Sequence, residues 1–426
     1  MNRLLAALCL AAAARAQPSF PLKLASPAEV VADLALSSPG SDWATAGREG
    51  ALADVVLDGR VQQQVMLYAG AARHTYAVFI GRLETGAHRL QVLRNESYSA
   101  QGSGLEVHGV KFREVRAGHP YYAVLSHAPV LYARADTIGG FTDVPMVVYC
   151  QRPQEEGKPQ LEYTVIFSNE DGGTSTRGLM ARWGRTTDIE YIYRGFIDTR
   201  GAMPKATIQT KDHKDVDFDG KYFGSHPILA PITDNNMVGT NVETPIRYQI
   251  APVEVDLTDA TRESVMDSHP VAWTVMAKEL AREGKLRPFG KVDHERISDP
   301  RNYLYLDVRP ELEDATIDFL VRLKGERLWR SSSAGRPDYT IGRSEWVRTS
   351  IELPPGTKIG QIEEFGFACH TAIVQKPFPQ PSGGVCRLAD ALGVFLLDAG
   401  YRPGPRMPLK AGFEVPTGIL WTSPSK

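Results

Sequence analysis

The chain has 426 residues, too many for one small core, and calls for roughly two or three domains. With 42% apolar and 23% charged residues it reads as an ordinary folded protein, which excludes a disordered chain. A formal net charge of −2 excludes a basic nucleic-acid binder held by phosphate contacts.

Arg3 is followed by an uncharged apolar run at 4–14 and then by Ala14-Arg15-Ala16, an A-x-A cleavage pattern. Residues 1–16 therefore read as a signal peptide, and the mature protein is expected to be secreted, either extracellular or periplasmic. No later segment reaches the ~18 apolar residues of a membrane helix, so no transmembrane segment is expected in the mature chain. Export permits disulfides. Cys369 and Cys386, separated by a Pro- and Gly-rich loop, are the expected pair, and Cys150 is expected to be a buried small apolar residue.

Residues 17–117 carry short runs rich in Val, Leu and Tyr at 53–57, 61–68, 74–80, 88–93 and 105–110. Asp58-Gly59, Ala69-Gly70, Gly81, Gly86, Gly102 and Gly104 punctuate them. Strands at this spacing without a helical period predict a β-sandwich accessory domain. The phrase Gly86-Ala87-His88-Arg89-Leu90-Gln91-Val92 resembles a late strand of the jelly-roll accessory modules of secreted carbohydrate-active proteins. Asn95-Glu96-Ser97 is a glycosylation sequon.

Residues 118–256 predict a central β domain that carries the site. A strand is expected over 123–133, bent or placed at an edge by Pro129, and another over 144–150. Apolar runs at 163–167 and 189–193 flank a polar stretch holding Glu170, Asp171, Arg177, Arg182, Trp183, Arg185 and several glycines. This predicts a hairpin with a long loop, and loops of that length are usually functional when ordered. Asp188 and Glu190 are two apart, so on a strand both carboxylates face one way.

That pattern makes Asp188, Glu190 and Glu170 the candidate catalytic acids, with Arg185 beside them. Neighbouring carboxyls with separated pKa values can act as acid and base, as in sugar cleavage. Arg182, Trp183 and His226 are the candidate substrate-binding residues: guanidinium to orient, indole to stack on a sugar, imidazole at a turn after Phe223-Gly224-Ser225. Asp234-Asn235-Asn236 could cap a turn or touch a polar ligand. The bland alternative is that Arg182 and Arg185 neutralise the acids in salt bridges.

The run Gly184-Arg185-Thr186-Thr187-Asp188-Ile189-Glu190, with Asp171 upstream, resembles the Gly-His-Arg-His-Asp-Trp-Glu motif of the secreted necrosis-inducing (Nep1-like) cytolysins. The resemblance covers residues 161–194 and implies a β-sandwich with an acidic rim and a divalent cation held by the motif acids and the upstream Asp. Both motif histidines are absent here, replaced by Arg185 and Thr187, and Ile189 replaces the tryptophan. A second metal candidate is Asp215-Val216-Asp217-Phe218-Asp219-Gly220, the first half of a calcium loop with oxygens at positions 1, 3 and 5. Position 12 is His226 rather than Glu, so Val216 and Phe218 pointing inward from a solvated strand is the competing reading. Ca2+ is thus the one cofactor expected, and no nucleotide or organic cofactor is.

Residues 257–426 predict a helical connector over about 259–284 and a C-terminal β-rich region that could complete the central domain. Ser268 or His269 as N-cap, Pro270 at the first helical position and Gly284 as stop frame the helix. Strands alternate at 304–308, 316–322, 345–352 and 365–370, and 353–356 is a turn. No nucleophile elbow, zinc-helix motif, phosphate loop or dinucleotide fingerprint occurs.

The fold class expected is therefore mostly β, a multi-domain, jelly-roll-like sandwich with one helical segment. The function expected is a secreted protein that binds, and in its catalytic form cleaves, an extracellular polysaccharide at an acidic, calcium-assisted site. The alternatives are a non-enzymatic glycan- or membrane-surface-binding protein and a structural exported protein.

Overall fold

Runs of Val, Leu and Tyr broken by Gly and Asp-Gly turns pair into antiparallel ladders along most of the chain. The computed structural model describes residues 18–155, 157–170, 172–372, 383–418 and 420–424. The expected leader, Asp171 and most of the loop between Cys369 and Cys386 lie outside the described residues.

The first β unit is a sandwich. One sheet orders Ser19–Leu24, Gly86–Arg94, Leu52–Leu57 and Arg60–Met66. The other orders His74–Leu83, Ala28–Ser37 and Glu106–Val115. The turn at Asp58-Gly59 has φ of 49° and 83°, so both residues sit in the left-handed region that a tight two-residue hairpin requires. Val30, Leu34, Val55 and Leu90 point between the sheets and are buried.

The central unit is built on a seven-stranded sheet in which Lys158–Phe167 lies between Asp188–Phe196 and Pro145–Gln151. A second sheet places Val130–Tyr132 between His226–Pro231 and Arg247–Tyr248. Two expectations are corrected here. Residues 123–133 are not one strand: Tyr122–Ser126 is helical and pairing starts only at Val130. Pro129 has no N–H to give to a ladder, so it precedes an interior strand instead of marking an edge. The polar stretch after Phe167 is not a plain loop either, because Thr176–Trp183 is a helix. Ser175 caps it by accepting from Gly178 N, and Gly184 ends it at φ 59°.

The connector helix runs Val271–Arg282, with Gly284 following at φ 68°. Only Ser264–Ser268 of the expected preceding helical piece is helical. The long helix buries Trp273, Val275, Met276 and Leu280. It is pinned to the first sandwich where Trp43 Nε1 donates to buried Glu279 at 2.9 Å. The C-terminal region is a second sandwich of four-stranded sheets: Val347–Glu352, Tyr303–Glu313, Val385–Leu396, Phe413–Pro416 and, opposite, Trp329–Ser331, Ala315–Leu323, Ile362–Thr371, Leu420–Pro424. The expected disulfide Cys369–Cys386 bridges these two sheets, and Cys150 is free and buried.

One continuous apolar core runs from Leu22 through the central sheet and the connector helix to Tyr305 and Phe395 at the edge of the C-terminal sandwich, and a second holds most of that sandwich. Where they meet, hydroxyls of the Val347–Glu352 strand finish the Thr176–Trp183 helix. Thr349 donates to Ala181 O at 2.5 Å and Ser350 to Met180 O at 2.7 Å. The first satisfies a last-turn carbonyl that a helix leaves open, and the second adds to Met180 O, which already accepts from Gly184 N. Among the described residues no helix is long and apolar enough to cross a membrane.

Candidate functional site

The register Phe167↔Asp188 and Val165↔Glu190 sets Asp188 at the start of its strand, just after the short helix. Ile189 is fully buried toward the core, and Asp188 and Glu190 share the other face, as the two-residue period predicts. Asp188 is 0% exposed. Its Oδ2 accepts from Asn236 Nδ2 at 3.0 Å, and the same amide nitrogen donates to Asp143 Oδ1 at 2.9 Å. Asn236 adopts φ 55°, a conformation asparagine tolerates better than most residues. Two buried oxygens, Asp188 Oδ1 and Asn236 Oδ1, have no hydrogen-bond partner by geometry among the described residues.

Glu170 and Glu190 lie within electrostatic reach of Asp188. Burial first, and Asp188 second, push the Glu170 carboxyl up to about 8. Burial raises Glu190 to about 7, against the pull of Arg262 and Arg185. Burial and the Glu190 charge hold Asp188 well above the usual carboxylate range. Among the described residues none of these acids forms an ion pair.

The arginines explain why. Arg185 is 2% exposed and its Nε is 3.2 Å from Glu263 Oε1, while its other end donates to the Thr187 carbonyl. Arg262 donates to Ile189 O at 3.1 Å. The expectation that Arg185 acts on a substrate is corrected: it is enclosed, and its task is to hold the turn before Asp188 to the connector. Arg182 lies over the Trp183 ring at 4.4 Å and Arg343 over the same ring at 4.9 Å. Trp183 is therefore already stacked against guanidinium groups, which corrects its expected role as a bare platform for a sugar.

The other predicted residues fall elsewhere. His226 is 1% exposed, not at a site edge. Its Nδ1 donates to Ala128 O at 2.9 Å, its Nε2 sits 3.3 Å from Glu29 Oε2, and its ring stacks on Phe79. It fastens the second sheet of the central unit to the first sandwich. Asp215 and Asp217 lie on the strand Lys214–Asp217, paired to Ala206–Thr210, so the half-loop is extended instead of curled. Asp215 pairs with Arg194 at 3.0 Å and Asp219 accepts from Thr240 at 2.8 Å. Val216 is 42% exposed, so the reading with Val216 turned inward is corrected as well. Asp171 lies outside the described residues. Among the described residues no group of at least three His, Cys, Asp or Glu side chains is arranged to hold a metal ion.

Sequence reasoning missed Asp143, Glu263, Arg262 and Arg343, each brought in from a different segment. Asn236 stood out only as part of a polar triplet.

No family profile and no curated protein matches the chain. Among solved structures, NLPPya in complex with mannosamine aligns at 11% identity over 36% of this chain and 77% of that one, with a TM-score of 0.24. The complex of NLPPya with glucosamine aligns equally. A family two carbohydrate esterase from Clostridium thermocellum, an active-site mutant in a cello-oligosaccharide complex, aligns at 15% identity over 33% of this chain and 36% of that one, with a TM-score of 0.16. These amount to a weak resemblance to Nep1-like and carbohydrate-related proteins, and similarities at this level carry no argument about the site.

Proposed function

We propose that the chain is a carbohydrate-active protein that binds a polysaccharide at the Glu170–Asp188–Glu190 centre and moves a proton there. The observation that carries this reading is the convergence of one fully buried and two partly buried acids that form no ion pair among the described residues, near an Arg182 guanidinium that has no carboxylate partner among them. Like charges this close cannot all be ionised without a counterion, so at least one carboxyl holds a proton near neutral pH. A proton held by one acid beside an ionisable second is the arrangement that general acid–base cleavage of a glycosidic bond uses. Glu170 and Glu190, only partly buried, are the members able to reach a substrate, and the fully buried Asp188 beside them helps to keep a proton on Glu170.

Reducing-end release from a polysaccharide panel tests this. Asp188→Asn is expected to abolish turnover and leave the melting temperature unchanged or higher, because it removes a buried acid while keeping a group for Asn236 to bond. Full activity in that variant would overturn the assignment. Binding that yields no product even on long incubation would make the protein a glycan-binding module instead of an enzyme.

A second reading is favoured by the two orphaned oxygens. A hard cation such as Ca2+ prefers oxygen donors, and Asp188 Oδ1 and Asn236 Oδ1 are oxygens of that kind. A saturating cation raises stability by mass action. A melt that is identical in calcium and in chelator would set this reading aside and leave the proton reading.

A further inference from the structure

Arg182 lies near the end of the Thr176–Trp183 helix, with its guanidinium laid 4.4 Å from the Trp183 ring centre. Its backbone carbonyl accepts from Arg343 at 3.0 Å, yet the guanidinium makes no hydrogen bond or ion pair with any described residue. A half-buried guanidinium normally has a carboxylate partner. Glu170 and Asp338 influence Arg182 only through space.

The same side chain forms part of the wall of a cleft of about 900 Å³ between the helix and the C-terminal sandwich. Asp318, Arg336, Asp338 and His370 also line it. The other carboxylates in the cleft already have bonded partners. Asp318 accepts from Ser332 Oγ and from both the N–H and the hydroxyl of Ser333, at 2.7 to 2.9 Å. Arg336 pairs with Asp338 at 2.8 Å. The cleft's fixed charges therefore balance overall, and Arg182 is the guanidinium among them with no hydrogen-bonded carboxylate among the described residues. Stacking on Trp183 holds the plane of the fork, so little side-chain freedom remains to be lost when it accepts a planar partner. A carboxylate matches that fork with two parallel hydrogen bonds.

We propose that this cleft binds the carboxylate of an acidic polysaccharide, a chain containing uronic acid units, with Arg182 as the anchor. The inference rests on the carbohydrate reading above and narrows its substrate class. A sulfate ester presents the same charge on tetrahedral oxygens and is the rival that the test must separate.

Titration calorimetry on the full chain would use polygalacturonate, its methyl-esterified form, dextran sulfate and a neutral glucan. Polygalacturonate is expected to bind, with esterification weakening it by about tenfold or more, the scale of one charge-assisted pair. Arg182→Gln is expected to lose the same factor, and Arg182→Lys to recover only part, since it keeps the charge and loses the fork. A melting curve matching the parent shows that each variant is folded. Dextran sulfate binding as tightly as polygalacturonate overturns the carboxylate assignment. Equal affinity for the esterified polymer, or for Arg182→Gln, overturns the anchor. Binding of neutral glucan without any uronate preference overturns this inference alone and leaves the acid-centre reading standing. Absence of binding to every glycan overturns both.

Discussion

Glu170 and Glu190 would ionise near the ordinary glutamate value of about 4.3 in the unfolded chain. In the fold they keep their protons up to about 8 and about 7. Between those limits the folded state binds more protons than the unfolded one, so stability falls as pH rises. The contribution is fully present below about pH 4.3 and is lost by roughly pH 8. Melting temperature measured from roughly pH 5 to 8 should therefore decline, and Glu170→Gln should flatten part of that slope. A parent slope that the substitution leaves untouched would show that Glu170 is not buried beside Asp188. The pairing of Asp188 with Glu190 on one face was legible in the sequence, because strand alternation is a local rule. Their release from salt bridges was not, since it depends on Arg185 finding Glu263 some 80 residues away.

At the scale of elements, the joint between the short helix and the C-terminal sandwich decides where Arg182 and Trp183 point. Buried Arg348 anchors it, with Nε 2.6 Å from Asp307 Oδ1 and Nη2 2.7 Å from Asp267 Oδ2. Replacing Arg348 by Met leaves fully buried Asp307 with only Arg406 as counterion, and should cost about 3 kcal/mol in urea denaturation, the low end for a broken buried pair. Adding Asp307→Leu to that variant should restore most of the loss. If the double variant is no better than the single one, the pair is not the source of the effect. Gly184 is the other fixed point of the joint: a Cβ there would meet Arg348 Cγ at 2.7 Å, at a φ of 59° that already disfavours side chains. Gly184→Ala should therefore lower the melting temperature by several degrees, through strain and clash together. The helix itself was written in the sequence by Ser175 and Gly184, but the glycines, acids and arginines between Glu170 and Arg185 hid its short apolar stripe.

Across the whole molecule, the two apolar cores differ in what holds them. The first spans the N-terminal sandwich, the central sheet and the connector helix and reaches Tyr305 and Phe395, whereas most of the C-terminal sandwich has its own core and the disulfide. Closing a loop of 17 residues is worth about 3 kcal/mol in the chain-entropy view. Calorimetry with and without reductant should lower the unfolding of the C-terminal sandwich and spare the first core. A uniform downward shift of a single transition would show that the two cores unfold as one.

The sequence by itself determined the β class, the hairpin acids, the connector helix and the Cys369–Cys386 pair, because each is set by spacing along one stretch of chain. Tertiary structure alone decided which charges neutralise one another. It buried His226 between two sheets, laid the Asp215–Asp217 segment flat against a neighbouring strand and stacked Arg182 on Trp183. Those outcomes follow from which segments meet in space, and burial there, more than residue type, fixes whether a side chain serves as a strut or faces a ligand.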